Sequence, residues 1–167
     1  MEFIIIGSNI PKGIREPEER EKMAVLIDNR QNNIKISLKI MKKTAQAVLD
    51  ALGFPEGELS VSFVDDREIE GLNKEYLNRN GPTNVIAFPM REGSFSDITP
   101  TLLGDVVISA DTARKEGLIA GISTEERVIE LLVHGILHLF GYDHEGSEQK
   151  AAEMNEKSEE LMTLIKI

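Results

Sequence analysis

Apolar positions along the chain fall into regular order from Met23 onward. Ala24-Val25-Leu26-Ile27 has strand character, with Ile34 and Ile36 read as its continuation or partner. Leu38, Met41, Ala45, Val48 and Leu52 then recur three and four apart. That is the stripe of an amphipathic helix, which Ser37 can cap and Gly53 with Pro55 can stop. Leu59, Val61 and Phe63 alternate with Glu58, Ser60 and Ser62, the period of a half-buried strand. Asp65 can cap a second helix, with Glu68 at the capping-box position and Ile69, Leu72 and Tyr76 on its buried face. Beyond the Gly81-Pro82 loop, Val85-Ile86-Ala87-Phe88 reads as a short strand that Pro89 ends. Residues 92–100 are rich in Gly, Ser and Asp and read as a surface loop. The nearly continuous apolar run 102–108, broken by Gly104 and Asp105, is the last strand. Ser109 or Asp111 can cap a helix ending at Gly117.

The next segment differs in kind. Ser123 with Glu126 forms a capping box for a helix expected over about residues 124–140. Val128, Ile129, Leu132, Val133, Ile136 and Phe140 wrap much of its circumference, so this helix should be central and buried. Ala151, Met154, Leu161 and Ile165 give a final helix one apolar face. The order of strands and helices predicts an α+β domain, a small mixed sheet with helices packed on it. Residues 1–22 lack a consistent period and read as an N-terminal extension to a single domain over 23–167.

All three histidines of the chain lie at the end of the apolar helix, as His134, His138 and His144. Four helical residues turn about 400° and rise about 6 Å, so His134 and His138 project from one face. Gly141 can end the helix in a left-handed conformation and let His144 return towards the same point. Three imidazoles and a water make a four-coordinate zinc site with one open position. Zinc suits this set best, although copper, nickel and iron also accept imidazole. The spacing matches the metzincin protease pattern H-E-x-x-H-x-x-G-x-x-H except that Gly135 stands where those enzymes keep their Glu base.

Composition narrows the class. With 167 residues, 41% apolar and 29% charged, the chain is an ordinary globular domain. It has no cysteine, which excludes disulfides and thiolate ligands. No apolar run approaches the roughly 18 residues of a membrane span, and Phe3-Ile4-Ile5-Ile6 lacks a basic n-region, so no membrane partner and a cytoplasmic location are expected. The net charge of −10 argues against non-specific nucleic-acid coating, though Lys39, Lys42 and Lys43 cluster on the first helix.

With Gly135, Leu137, Leu139, Tyr142 and Asp143 included, the histidine segment resembles the signature H-G-x-L-H-L-x-G-Y-D-H of the bacterial endoribonuclease rRNA maturation factors, the YbeY family. Gly81-Pro82-Thr83-Asn84-Val85-Ile86-Ala87-Phe88-Pro89 and Leu103-Gly104-Asp105-Val106-Val107-Ile108 are similar to further stretches of that family, in the same order. The resemblance covers roughly residues 23–165. It implies a four-stranded mixed sheet with about five helices in a zincin-like arrangement and one Zn2+ per chain. It also implies single-strand-specific endonuclease activity in ribosomal RNA maturation, with the small ribosomal subunit as partner and no DNA expected.

The residues beyond the histidines keep more than one reading. Asp143 can orient a ligand imidazole or serve as a turn residue. Asp105, within an apolar strand, is a catalytic acid/base or the acceptor of a buried structural hydrogen bond. Members of the family carry an Arg after the aromatic residue that precedes the Pro-Thr-Asn stretch; here Leu77 follows Tyr76. Arg79, two residues on, either replaces it as the phosphate contact or is a solvated loop residue. Three functions from different classes follow: an RNA endonuclease, a metallopeptidase, and a ribosome-associated factor with a structural metal.

Overall fold

The structure, a computed structural model, describes residues 24–90 and 100–165. The expected extension over residues 1–22 and nearly all of the 92–100 loop lie outside the described residues. In chain order the elements are β1 (Val25–Asn29), α1 (Leu38–Ala51), β2 (Glu58–Val64), α2 (Asp66–Leu77), β3 (Val85–Pro89), β4 (Leu102–Ser109), α3 (Ala110–Ala120), α4 (Thr124–Leu139) and α5 (Glu148–Ile165). The strands form one mixed sheet in the order β1-β2-β4-β3. β1, β2 and β4 are parallel, and β3 runs antiparallel to β4 at the edge. This is the α+β arrangement of four strands and five helices that the sequence predicted.

Strand alternation divides the sheet into two faces. Val61 and Phe63 of β2 and Val106 and Ile108 of β4 turn towards α1, α4 and α5, where they join Met41, Leu132, Ile136, Met154 and Leu161 in the main core. Burying each such side chain contributes about 1.5–3 kcal/mol, so this face holds the domain together. On the other face Val64, Ile86 and Val107 pack with Ile69 of α2 in a smaller cluster. α4 is the hub: eight of its 16 residues are buried, as its apolar circumference predicted.

Four local expectations are corrected. Ile34 and Ile36 belong to no strand, because the buried Gln31 side chain takes over the backbone there. Its Oε1 accepts from the N–H groups of Asn33 and Ile34, and its Nε2 donates to Ile34 O. α3 continues through Gly117 to Ala120. Gly117 is a packing glycine, with Ile122 O and Ser123 O 3.2 Å from where its Cβ would lie; Gly121, at φ 71°, is the cap. Asp65 caps α2 through Glu68 N, but Glu68 does not return the bond; its carboxylate meets Arg30 at 2.9 Å. Tyr76 is 59% exposed, its ring resting edge-on against Phe88 at 5.2 Å.

Candidate metal centre and its cleft

α4 begins with the predicted capping box, Ser123 Oγ accepting from Glu126 N while the Glu126 carboxylate accepts from Ser123 N. Anchored there and packed along its length, the helix carries His134 and His138 into one space, their Nε2 atoms 3.0 Å apart. The helix ends as Gly141, at φ 89°, turns the chain, with Gly141 N donating to His138 O and Tyr142 N to Leu137 O. Asp143 Oδ1 accepts from Glu145 N at 2.9 Å, a side-chain turn that brings His144 back. The Asp143 carboxyl is held below its ordinary range chiefly by that N–H. Of its two readings, the turn residue is the one this geometry carries.

The three histidines offer ligand nitrogens that all lie within 4.8 Å of one another. A tetrahedral ion with Zn–N bonds of about 2.0–2.1 Å needs its ligands roughly 3.3 Å apart, so a small closure of the cluster suffices. Burial first, then the neighbouring imidazoles, pushes His134 down to about 4. Burial and His144 also lower His138. Both shifts favour the neutral imidazole, the form a metal requires. The residues present fit a transition-metal ion.

The histidines open onto a cleft of about 510 Å³. Arg79 and Leu77 line it together with the start of β3 and the histidines. Arg79 Nη2 lies 3.5 Å from Glu145 Oε1, an exposed ion pair at the mouth. The loop that carries Arg79 is tied to α2 through the buried Asn73, whose Nδ2 donates to Gly81 O and whose backbone carbonyl accepts from Arg79 N. The sequence-predicted histidines and Arg79 are thus brought into one cleft.

Asp105 is not among them. It sits opposite Phe88 in the β3–β4 ladder and beside Ser60 of β2, one residue out of phase with Val106. Its side chain therefore faces away from α4, into a separate cavity of about 380 Å³ with Arg30, Ser60, Ser62 and Tyr76. No hydrogen bond to its carboxylate is formed among the described residues, and its side chain lies outside the cleft that holds the histidines.

A polar network absent from the sequence reading braces the site. Asn84 Nδ2 donates to Glu116 at 3.2 Å, and Arg127 Nε donates to Glu116 at 2.9 Å. Arg127 Nη1 donates to Glu130 at 2.6 Å. The network ties the start of β3 to α3 and to the face of α4 that carries His134, two turns after Arg127. Its one sequence signal was the spacing of Arg127, Glu130 and His134 along a helix face.

Among the described residues no helix is long and apolar enough to cross a membrane. The family model described as Endoribonuclease YbeY matches residues 26–166. Curated proteins of that name are similar over most of the chain. The one from Geobacter sulfurreducens is 47% identical, covering 86% of this chain and 96% of its own length. That from Aquifex aeolicus is 45% identical over 79% and 86%, and that from Clostridioides difficile is 33% identical over 87% and 98%. A Thermotoga maritima protein solved in solution matches the fold with a TM-score of 0.59 at 23% identity, covering 84% of this chain and 88% of that one.

Proposed function

The chain belongs to the endoribonuclease YbeY family, and on that premise we propose that it is a metal-dependent hydrolase that cuts single-stranded RNA during ribosomal RNA maturation. The observation that supports this most is the joint presence of three imidazoles and Arg79 in one open cleft. His134, His138 and His144 would hold one zinc ion, which supplies Lewis acidity towards a phosphoryl oxygen and a nucleophile at neutral pH.

The remaining work falls to the chain's own side chains. Arg79 offers a planar fork to a non-bridging phosphate oxygen pair. Its resting partner, Glu145, is 64% exposed, and an ion pair that open to water is worth at most about 1 kcal/mol, so a phosphate displaces it readily. Displacement frees Glu145 Oε1 beside His144 to accept a proton. β3, held by the Asn84–Glu116–Arg127 network, forms the wall along which the substrate lies. The reading extends to the small ribosomal subunit as partner and to the cytoplasm as location.

The metallopeptidase alternative is opposed by Gly135, which is buried against Val106 and Val85 with no space for a base. A purely structural ion is opposed by the cleft onto which the cluster opens. The test is to load the full chain with zinc and assay a single-stranded RNA and an unstructured peptide in parallel. RNA cleavage that chelation abolishes, with the peptide intact, is expected. Peptide cleavage, or intact RNA at full metal occupancy, would refute the proposal.

A further inference from the structure

The cleft does not stop at the histidines. On the far side of His134 and Asn84 a second cavity of about 390 Å³ opens between α4 and α5, and both residues line both spaces. An endonuclease substrate continues on each side of the bond that is cut, so a second lobe beside the metal ligands has an occupant available. Its chemistry says which part of a nucleotide enters.

Among the described residues the lobe offers no free cation. Arg127 is the one guanidinium or ammonium lining it, and it already spans Glu116 at 2.8 Å and Glu130 at 2.6 Å. Glu130 and Glu159 both line the lobe, so carboxylates outnumber the guanidinium there. A phosphate is repelled from such a space and stays on the Arg79 side. The half-buried Met162, with the edge of the buried Leu131, supplies an apolar surface for one edge of a flat ring, and Ser158 adds a hydroxyl. The Glu159 carboxylate has no hydrogen-bond partner among the described residues, whereas Lys157 next to it is taken by Glu160 at 2.9 Å. Exposed at the edge of the lobe and beside its apolar wall, the Glu159 carboxylate is placed to accept from a ring that carries N–H donors.

Resting on the endoribonuclease reading, we infer that this lobe is a nucleobase subsite flanking the scissile phosphate, and that Glu159 makes it select guanine. Guanine alone presents two parallel donors, N1–H and the 2-amino group, to one carboxylate. Adenine and cytosine present only an amino group, and uracil a single imino N–H beside two carbonyls that Glu159 and Glu130 repel. The inference adds a base preference to an activity whose phosphate chemistry carries none.

The test uses full-length protein, with zinc and after chelation, and fluorescent single-stranded hexanucleotides. One is all-uridine, one carries a single internal guanosine, and one carries inosine at that place. Inosine differs from guanosine only in lacking the 2-amino group, and sliding along uridine lets the base find the lobe. The guanosine hexamer should bind about fivefold or more tighter than the other two, as expected for a bidentate base contact. Glu159→Gln, a change at an exposed helical position, should bring all three to within about twofold of one another. Equal binding of guanosine and inosine RNA, or a difference that survives Glu159→Gln, would overturn the inference while leaving the endoribonuclease reading in place. Failure of every hexamer to bind would remove both.

Discussion

Gly135 and Val106 meet where α4 crosses β4, so closely that a Cβ on residue 135 would fall 2.6 Å from Val106 Cγ1. Val85 Cγ2 stands only 3.2 Å from the same point. The glycine is what lets the metal helix lie against the sheet, and it occupies the place of the protease base for that reason. Gly135→Ala gains roughly 1 kcal/mol in helix propensity. Overpacking a stiff, buried valine costs about 1–3 kcal/mol, and the clash should win. A net loss in denaturant midpoint is expected for Ala. A far larger one is expected for Gly135→Glu, with no gain of peptidase activity. A stable Gly135→Glu protein would show that the helix can move off the sheet.

Metal binding should be stoichiometric, one ion per chain, through His134, His138 and His144. Because only the folded state assembles the three nitrogens, zinc at 100 times its dissociation constant should add about 2.7 kcal/mol of stability. His138→Ala should abolish that increment and empty the site in elemental analysis. Unchanged occupancy in this variant would rule out the triad.

Arg79 should act on the substrate and hardly on the fold. It is exposed, and Arg79→Ala should change stability by no more than about 0.5 kcal/mol. Its loss should slow RNA cleavage about 30- to 1000-fold at full metal occupancy, corresponding to roughly 2–4 kcal/mol of barrier. Lysine should restore only part, since it keeps the charge without the fork. Leu77 lines the same cavity, so Leu77→Arg should rescue the Arg79→Ala enzyme. A parental rate in Arg79→Ala would move the phosphate contact elsewhere.

Acid below about pH 4 should loosen the junction of α2 and α3. Burial alone would raise the Asp66 carboxyl, but Lys115 at 2.7 Å, Ser109 at 2.6 Å and Thr112 at 2.5 Å together outweigh it and hold the group below its ordinary value. The folded state therefore binds this proton more weakly than the unfolded chain. Its contribution is complete above the unfolded pKa of about 4 and is lost as pH falls through the lower folded value. Asp66→Asn should cost about 2 kcal/mol at pH 7 and progressively less in acid, read from denaturant midpoints across pH. A pH-independent difference would show that the charge contributes nothing.

The metal helix was legible in the sequence because each of its signals is local: Ser123 with Glu126, the apolar circumference, the four-residue histidine spacing and Gly141. The place of Asp105 was not legible because the run around it is apolar on both faces, so periodicity could not say which side the carboxylate takes. Gly117 resembles a helix stop in sequence, and only the returning chain at Ile122 reveals it as a contact. The Asn84–Glu116–Arg127 network joins positions 32 and 11 residues apart. No local pattern encodes that pairing. Gln31 shows the converse, a single buried amide replacing the strand that Ile34 and Ile36 suggested.

The three histidines do not stand on equal footing. Two ride on a helix locked into the core, while His144 is exposed on a turn closed by Gly141 and Asp143. An arriving ion thus meets a rigid two-toothed comb first, and the turn then shuts on it like a clasp. Departure reverses the order, so the lifetime of the bound ion is governed by how often the turn opens. Gly141→Ala, strained at φ 89° by roughly 1–2 kcal/mol, should speed zinc loss to a chelator by about five- to thirtyfold. An unaltered rate in stopped-flow chelation would mean that release begins at the helix instead.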